Sequence, residues 1–119
     1  MKVLICDDDF RTRQALKAFL DAQEDSDNNT FNVVGQAQNG LEAILCVDNL
    51  QPEVVVIDAC MPGMNGLEAT RIIKKQWPNV RVVMLTMYPD QHSAALQAGV
   101  DAFLAKGCMT EVLLKAILG

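Results

Sequence analysis

The sequence predicts a single α/β domain built on one doubly wound, five-stranded parallel sheet. Three observations predict it. Five short aliphatic runs alternate with five stretches of helical, amphipathic spacing, the pattern of strand–helix units joined by right-handed crossovers. One of those runs, Val54-Val55-Val56-Ile57, is apolar without interruption, as in a strand covered by helices on both faces. The chain has 119 residues, half of them hydrophobic but only 5% aromatic, enough for one aliphatic core and no second one.

Taken in order, Lys2-Val3-Leu4-Ile5-Cys6 is the first strand and runs into Asp7-Asp8-Asp9. Asp9 is placed to cap a helix over Phe10 to Ala22. Its apolar residues Ala15, Leu16, Phe19 and Leu20 share one side, while Arg11, Arg13 and Lys17 take polar positions. The polar, acidic segment from Gln23, with Asn28-Asn29, reads as a surface loop. The second strand spans Phe31 to Gln36. Asn39-Gly40-Leu41-Glu42 carries a helix-capping signature, repeated at Asn65-Gly66-Leu67-Glu68, and the repeat reads as shared helix-start chemistry. The first of these helices reaches Asn49 and is broken at Gln51-Pro52. The second, after the Val54–Ile57 strand, buries Ile72, Ile73 and Trp77, turns Arg71, Lys74 and Lys75 mostly outward, and stops at Pro78. Val80 to Leu85 is the fourth strand, ending at Thr86. A short Ala-rich helix follows from Pro89 to Gly99, then a fifth strand from Asp101 to Ala105. Thr110 to Leu118 is the last helix, with Val112, Leu113, Ala116 and Ile117 as its apolar side.

Composition excludes several classes. A formal net charge of −5 argues against nucleic-acid binding by this chain itself. No apolar run approaches the roughly eighteen residues that span a bilayer, and the N-terminus enters a strand without a secretory signal. A cytoplasmic protein with no membrane partner is therefore expected. Cys6, Cys46, Cys60 and Cys108 show no CxxC or Cys/His ligand spacing and read as reduced thiols; with His92 as the single histidine, a zinc site is not expected. His92 reads as a surface residue, Trp77 and Tyr88 as packing residues.

Parallel strands deliver their carboxyl ends to one edge, where open α/β sheets place ligands. Asp7-Asp8-Asp9, Asp58, Thr86 and Lys106 all follow or end strands there. Each residue also has an ordinary use: Asp58 as a strand terminator, Asp7 to Asp9 at a helix N-terminus, Thr86 as a strand residue, Lys106 as a solvated charge. Their joint placement points elsewhere. Clustered carboxylates repel one another unless a cation intervenes, and Mg²⁺ with oxygen ligands is the natural partner. Lys106 offers a compact charge to a phosphoryl oxygen, and Thr86 a hydroxyl donor. Such a site suits phosphoryl transfer onto a carboxylate.

These residues resemble the receiver domain of bacterial two-component response regulators, over the whole chain. The matching stretches are Val3-Leu4-Ile5-Cys6-Asp7-Asp8, Ile57-Asp58-Ala59-Cys60-Met61-Pro62-Gly63-Met64-Asn65-Gly66, Val83-Met84-Leu85-Thr86-Met87 and Ala102-Phe103-Leu104-Ala105-Lys106. Val33-Val34-Gly35-Gln36-Ala37 before Asn39-Gly40, and Thr86-Met87, are most similar to the NarL-type subfamily with LuxR-type output. The resemblance implies a flavodoxin-like (βα)5 fold. It implies that Asp58 accepts a phosphoryl group from a sensor histidine kinase, and that Asp7, Asp8, Asp58 and the Cys60 carbonyl hold Mg²⁺. Thr86 and Lys106 would bind the phosphoryl group, and Thr86 and Phe103 would form the switch, with Met87 and Tyr88 flanking the site. It further implies a possible homodimer, and transcriptional control through a helix-turn-helix domain expected to be absent from residues 1–119, so that DNA is met only through that domain. No enzyme activity is implied beyond the domain's own phosphorylation and dephosphorylation.

Four features depart from the family pattern: Gly107 follows Lys106 where proline is frequent, Met87 is bulkier than usual, the segment from Gln23 to Thr30 is long, and the fourth helix, between Pro89 and Gly99, is short. The alternative within this fold is a pseudo-receiver or stand-alone interaction module without phosphorylation. A haloacid dehalogenase-type phosphohydrolase would need Thr or Val where Arg11 stands after Asp7-x-Asp9-x. A flavin or nucleotide binder would need a phosphate loop after the first strand, which is missing.

Overall fold

The computed structural model describes residues 1–23 and 31–119; most of the loop expected from Gln23 lies outside them. The strands are β1 (Lys2–Cys6), β2 (Asn32–Ala37), β3 (Val54–Ile57), β4 (Arg81–Thr86) and β5 (Ala102–Ala105). The helices are α1 (Phe10–Asp21), α2 (Gly40–Leu50), α3 (Gly66–Gln76), α4 (His92–Ala98), which a single 3₁₀ turn over Pro89–Gln91 precedes, and α5 (Thr110–Leu118). All neighbouring strands are parallel, in the order β2-β1-β3-β4-β5. This is the five-stranded doubly wound fold expected.

The period of two in each strand divides the core. Leu4, Val55, Ile57, Val82 and Met84 pack with Ala43 and Val47 of α2, Ala69 and Ile73 of α3, and Ala95 of α4. Val3, Ile5, Val54, Val56, Val83 and Leu85 pack on the other face with Leu20 of α1 and Leu113 and Ile117 of α5. β3 is buried along its whole length, as its unbroken aliphatic run demands.

The helix starts follow local chemistry. Asp9, Asn39 and Asn65 accept from the Arg11, Glu42 and Glu68 N–H groups respectively, so each supplies a side-chain partner to an otherwise unpaired amide. Gly99 ends α4 in the left-handed region at φ +98°. Val112 and Lys74 differ from expectation. Val112 is exposed, because the buried stripe of α5 is Leu113 and Ile117, four residues apart, and Val112 falls beside it. Lys74 does not turn outward. Its ammonium donates to the Pro78 and Val80 carbonyls at 3.1 and 2.9 Å and to Asp101 Oδ2 at 2.9 Å.

Asp101 Oδ2 also accepts from the Val82 N–H at 2.8 Å, so Lys74 ties α3 to β4 and β5 at the sheet edge remote from Asp58. Lys74→Met is expected to cost about 2 kcal/mol, the worth of hydrogen bonds from a charged donor. Urea denaturation reads this.

Candidate functional site

Strand register assembles the site. Cys6 pairs with Ile57, so the next residues, Asp7 and Asp58, emerge side by side. The pairing continues past the strand ends: Asp58 N–H donates to the Cys6 carbonyl at 2.9 Å, Asp7 N–H to the Ala37 carbonyl at 3.0 Å, and Lys106 N–H to the Thr86 carbonyl at 2.8 Å. Carbonyls at the ends of β1, β2 and β4 thereby hold the backbone of Asp58, Asp7 and Lys106.

The acidic triplet divides its labour. Asp9 caps α1, accepting from the Arg11 N–H at 2.9 Å and the Thr12 hydroxyl at 3.2 Å; these donors hold its carboxyl below the usual carboxylate value. Asp7, only 3% exposed, accepts from the Asp9 N–H through Oδ1 at 2.9 Å. Asp7, exposed Asp8 and buried Asp58 each offer an oxygen, and these oxygens lie within 4.8 Å of one another.

Asp58 is 7% exposed. Its Oδ1 accepts from the Cys60 N–H at 3.2 Å and its Oδ2 from Lys106 Nζ at 2.8 Å. Lys106 Nζ also stands 2.8 Å from Asp7 Oδ2, so one ammonium bridges two buried carboxylates. Burial alone would lower the Lys106 pKa, but hydrogen bonds and attraction from Asp58 and Asp7 outweigh it and hold the group above the ordinary lysine value. The turn beyond it is closed by Cys108 N–H to the Ala105 carbonyl at 3.1 Å, with Gly107 at φ +87°. That left-handed position suits glycine and forbids proline.

Thr86 is fully buried at the end of β4, its Oγ1 accepting from the Tyr88 N–H at 3.2 Å. Phe103 on β5 stacks against His92 of α4, with ring centroids 5.0 Å apart. Met87 and Tyr88 are 66% and 53% exposed. Tyr88 is therefore not a packing residue; beyond the buried end of β4 the chain has left the sheet and meets solvent.

Sequence reasoning missed three residues. Arg13, placed on a polar face, turns inward and donates to the Asp7 carbonyl at 2.7 Å. Gln91 brings its side-chain amide to Cys60 Sγ at 3.6–3.7 Å. Gly66 packs so closely that a Cβ there would stand 1.8 Å from the Asp58 carbonyl oxygen. A signal existed for the last. A Cβ on Gly40 would likewise lie 2.5 Å from the Met64 carbonyl oxygen, so the repeated Asn-Gly-Leu-Glu-Ala records close approach as well as capping.

Three carboxylates against one ammonium leave the site net negative, and every donor they offer is a hard oxygen. That donor set fits Mg²⁺ and not a thiophilic metal. A buried, doubly held carboxylate beside a lysine can also serve as a nucleophile toward an electrophilic phosphorus.

Comparison with known proteins agrees with this geometry. Residues 3–118 match the family model described as "Response regulator receiver domain". The chain is 37% identical over 117 residues to the transcriptional regulatory protein YhcZ of Bacillus subtilis, covering 97% of this chain and 52% of that protein. It thus spans about half the length of the curated relatives it matches. A LuxR-family DNA-binding response regulator from Staphylococcus aureus superposes with a TM-score of 0.87 at 30% identity, over 98% of this chain and 95% of that one. The isolated receiver domain of RcsB from Salmonella enterica serovar Typhimurium, solved in the presence of the phosphomimetic BeF3⁻, gives 0.82 at 26% identity, over 99% and 86%.

Proposed function

Since the chain belongs to the response regulator receiver domains of two-component systems, with LuxR-type regulators among its relatives, we propose that Asp58 is its phosphoacceptor. The donor is a phosphohistidine on a sensor kinase. The observation that carries this reading is the setting of Asp58: nearly buried, held at both oxygens by Cys60 N–H and Lys106 Nζ, and within 4.8 Å of the Asp7 and Asp8 carboxylates.

In the reaction an Asp58 carboxylate oxygen attacks the phosphorus. The phosphorus–nitrogen bond breaks with its electron pair going to the imidazole, and an acyl phosphate forms on Asp58. Asp7, Asp8 and Asp58, with the Cys60 carbonyl, would hold Mg²⁺, which when bound offsets the charge of the carboxylates and the phosphoryl oxygens. Lys106 exchanges its Asp58 partner for a phosphoryl oxygen, and Thr86 turns its hydroxyl toward another. That movement draws Phe103 inward, away from His92, and biases the surface around β4, α4 and β5. The altered surface would serve homodimer formation and a helix-turn-helix domain outside residues 1–119, through which a cytoplasmic regulator would reach DNA. Among the described residues no helix is long and apolar enough to cross a membrane.

Intact-mass measurement after incubation with acetyl phosphate and Mg²⁺ tests the reading. The protein should gain one phosphoryl group, and Asp58→Asn none. An unmodified wild-type protein, with acetyl phosphate and with histidine kinases alike, would favour a module that acts by binding alone. Labelling of Asp58→Asn would move the acceptor elsewhere.

A further inference from the structure

We propose that Arg13 is a positioning residue for the cation site, holding the peptide that links Asp7 to Asp8 so that their carboxylates stay directed at Asp58. The inference rests on the reading of Asp58 as phosphoacceptor and of the three carboxylates as a Mg²⁺ site. Asp7 is gripped from four directions. Its N–H bonds the Ala37 carbonyl at 3.0 Å, its Oδ1 accepts from the Asp9 N–H at 2.9 Å, and its Oδ2 meets Lys106 at 2.8 Å. The fourth grip is Arg13, one guanidinium nitrogen of which donates to the Asp7 carbonyl at 2.7 Å. That carbonyl belongs to the Asp7–Asp8 peptide, so fixing it fixes the plane from which both residues project.

The guanidinium is itself held in place. Its Nε donates to Gln36 Oε1 on β2 at 3.2 Å, and it lies over the Phe10 ring, 5.6 Å from the centroid. Two donors of the rigid fork are thus used at once, which a lysine cannot reproduce. Among the described residues Arg13 meets no carboxylate within 4.0 Å. Its charge is directed at a carbonyl, and the carboxylates remain available to a divalent ion. Groups that orient ligands from behind commonly change metal affinity by about 10–100-fold when removed.

Charge and geometry predict opposite signs, which makes the test decisive. Removing a positive charge near a cation site would tighten Mg²⁺ binding if electrostatics ruled. Loss of positioning would weaken it. Calorimetric titration of Mg²⁺ into the 119-residue domain, together with acetyl phosphate labelling across a Mg²⁺ series, reads both. Arg13→Met is expected to raise the Mg²⁺ half-saturation about tenfold, with the labelling rate at saturating Mg²⁺ within about twofold of wild type. Arg13→Lys should restore part of the loss. Unchanged or tighter Mg²⁺ binding in Arg13→Met would overturn the proposal, as would a lost maximum rate at unchanged half-saturation. Gln36→Leu, which frees one side of the guanidinium and spares Asp7, should weaken Mg²⁺ binding by about threefold; no change there counts equally against it if Arg13→Met does not fold. Failure of wild type itself to bind Mg²⁺ or take up phosphoryl groups would instead defeat the functional reading.

Discussion

Gly66→Ala should unfold part of the site it supports. Its Cβ would meet the Asp58 carbonyl oxygen at 1.8 Å, the Asp58 carbonyl carbon at 2.8 Å and the Ala59 Cα at 3.1 Å. All three are backbone atoms, so no flexible side chain can move aside. Either α3 slides away from the sheet, breaking the bond from Gly66 N–H to the Ala59 carbonyl at 3.0 Å, or the Asp58 loop shifts. Overpacking of this kind costs about 3 kcal/mol. The urea midpoint should fall accordingly, and phosphoryl uptake at Asp58 should slow even where the variant remains folded. Gly63→Ala is the control. It sits at φ +70° with nothing within 4 Å of a new Cβ, so only the left-handed backbone opposes it, at about 1 kcal/mol. Equal stabilities for the two variants would show that the close approach of Gly66 is not what matters.

Lys106→Met should produce the second large effect, because it leaves Asp7 and Asp58 buried without the ammonium that bridges them at 2.8 Å each. Removing one member of a buried ion pair typically costs about 3–5 kcal/mol; Lys106 retains 19% exposure, which places the expected loss near 2–3 kcal/mol. The pH dependence has a definite sign. The folded-state pKa of Lys106 lies above its ordinary value of 10.5, so its contribution is fully present below that pH and is lost as pH rises through the elevated value. The stability gap between wild type and Lys106→Met should hold across neutral pH and close, on the alkaline side, in strong alkali. Mg²⁺ should stabilise the variant more than wild type, since it restores a positive charge between the same carboxylates. A gap unchanged by saturating Mg²⁺ would separate the lysine's role from the cation site.

Much of this protein was determined by its sequence alone. Strand and helix order follow from runs of contiguous residues, and the caps Asp9, Asn39 and Asn65 act on amides two or three positions away, so local chemistry suffices to read them. The gathering of Asp7, Asp8, Asp58, Thr86 and Lys106 was legible for a different reason: parallel strands share one carboxyl edge whatever their order. Only the tertiary structure decided the rest. The order β2-β1-β3-β4-β5 makes Asp7 the immediate neighbour of Asp58 and lets one lysine serve both. Arg13 and Lys74 each looked like solvated charges on a helix, yet each finds backbone carbonyls that no periodicity reveals. Gly66 and Gly40 looked like ordinary helix starts until the distance to a neighbouring loop made any Cβ untenable. Such contacts join segments distant in sequence, and their geometry exists only once the chain has packed.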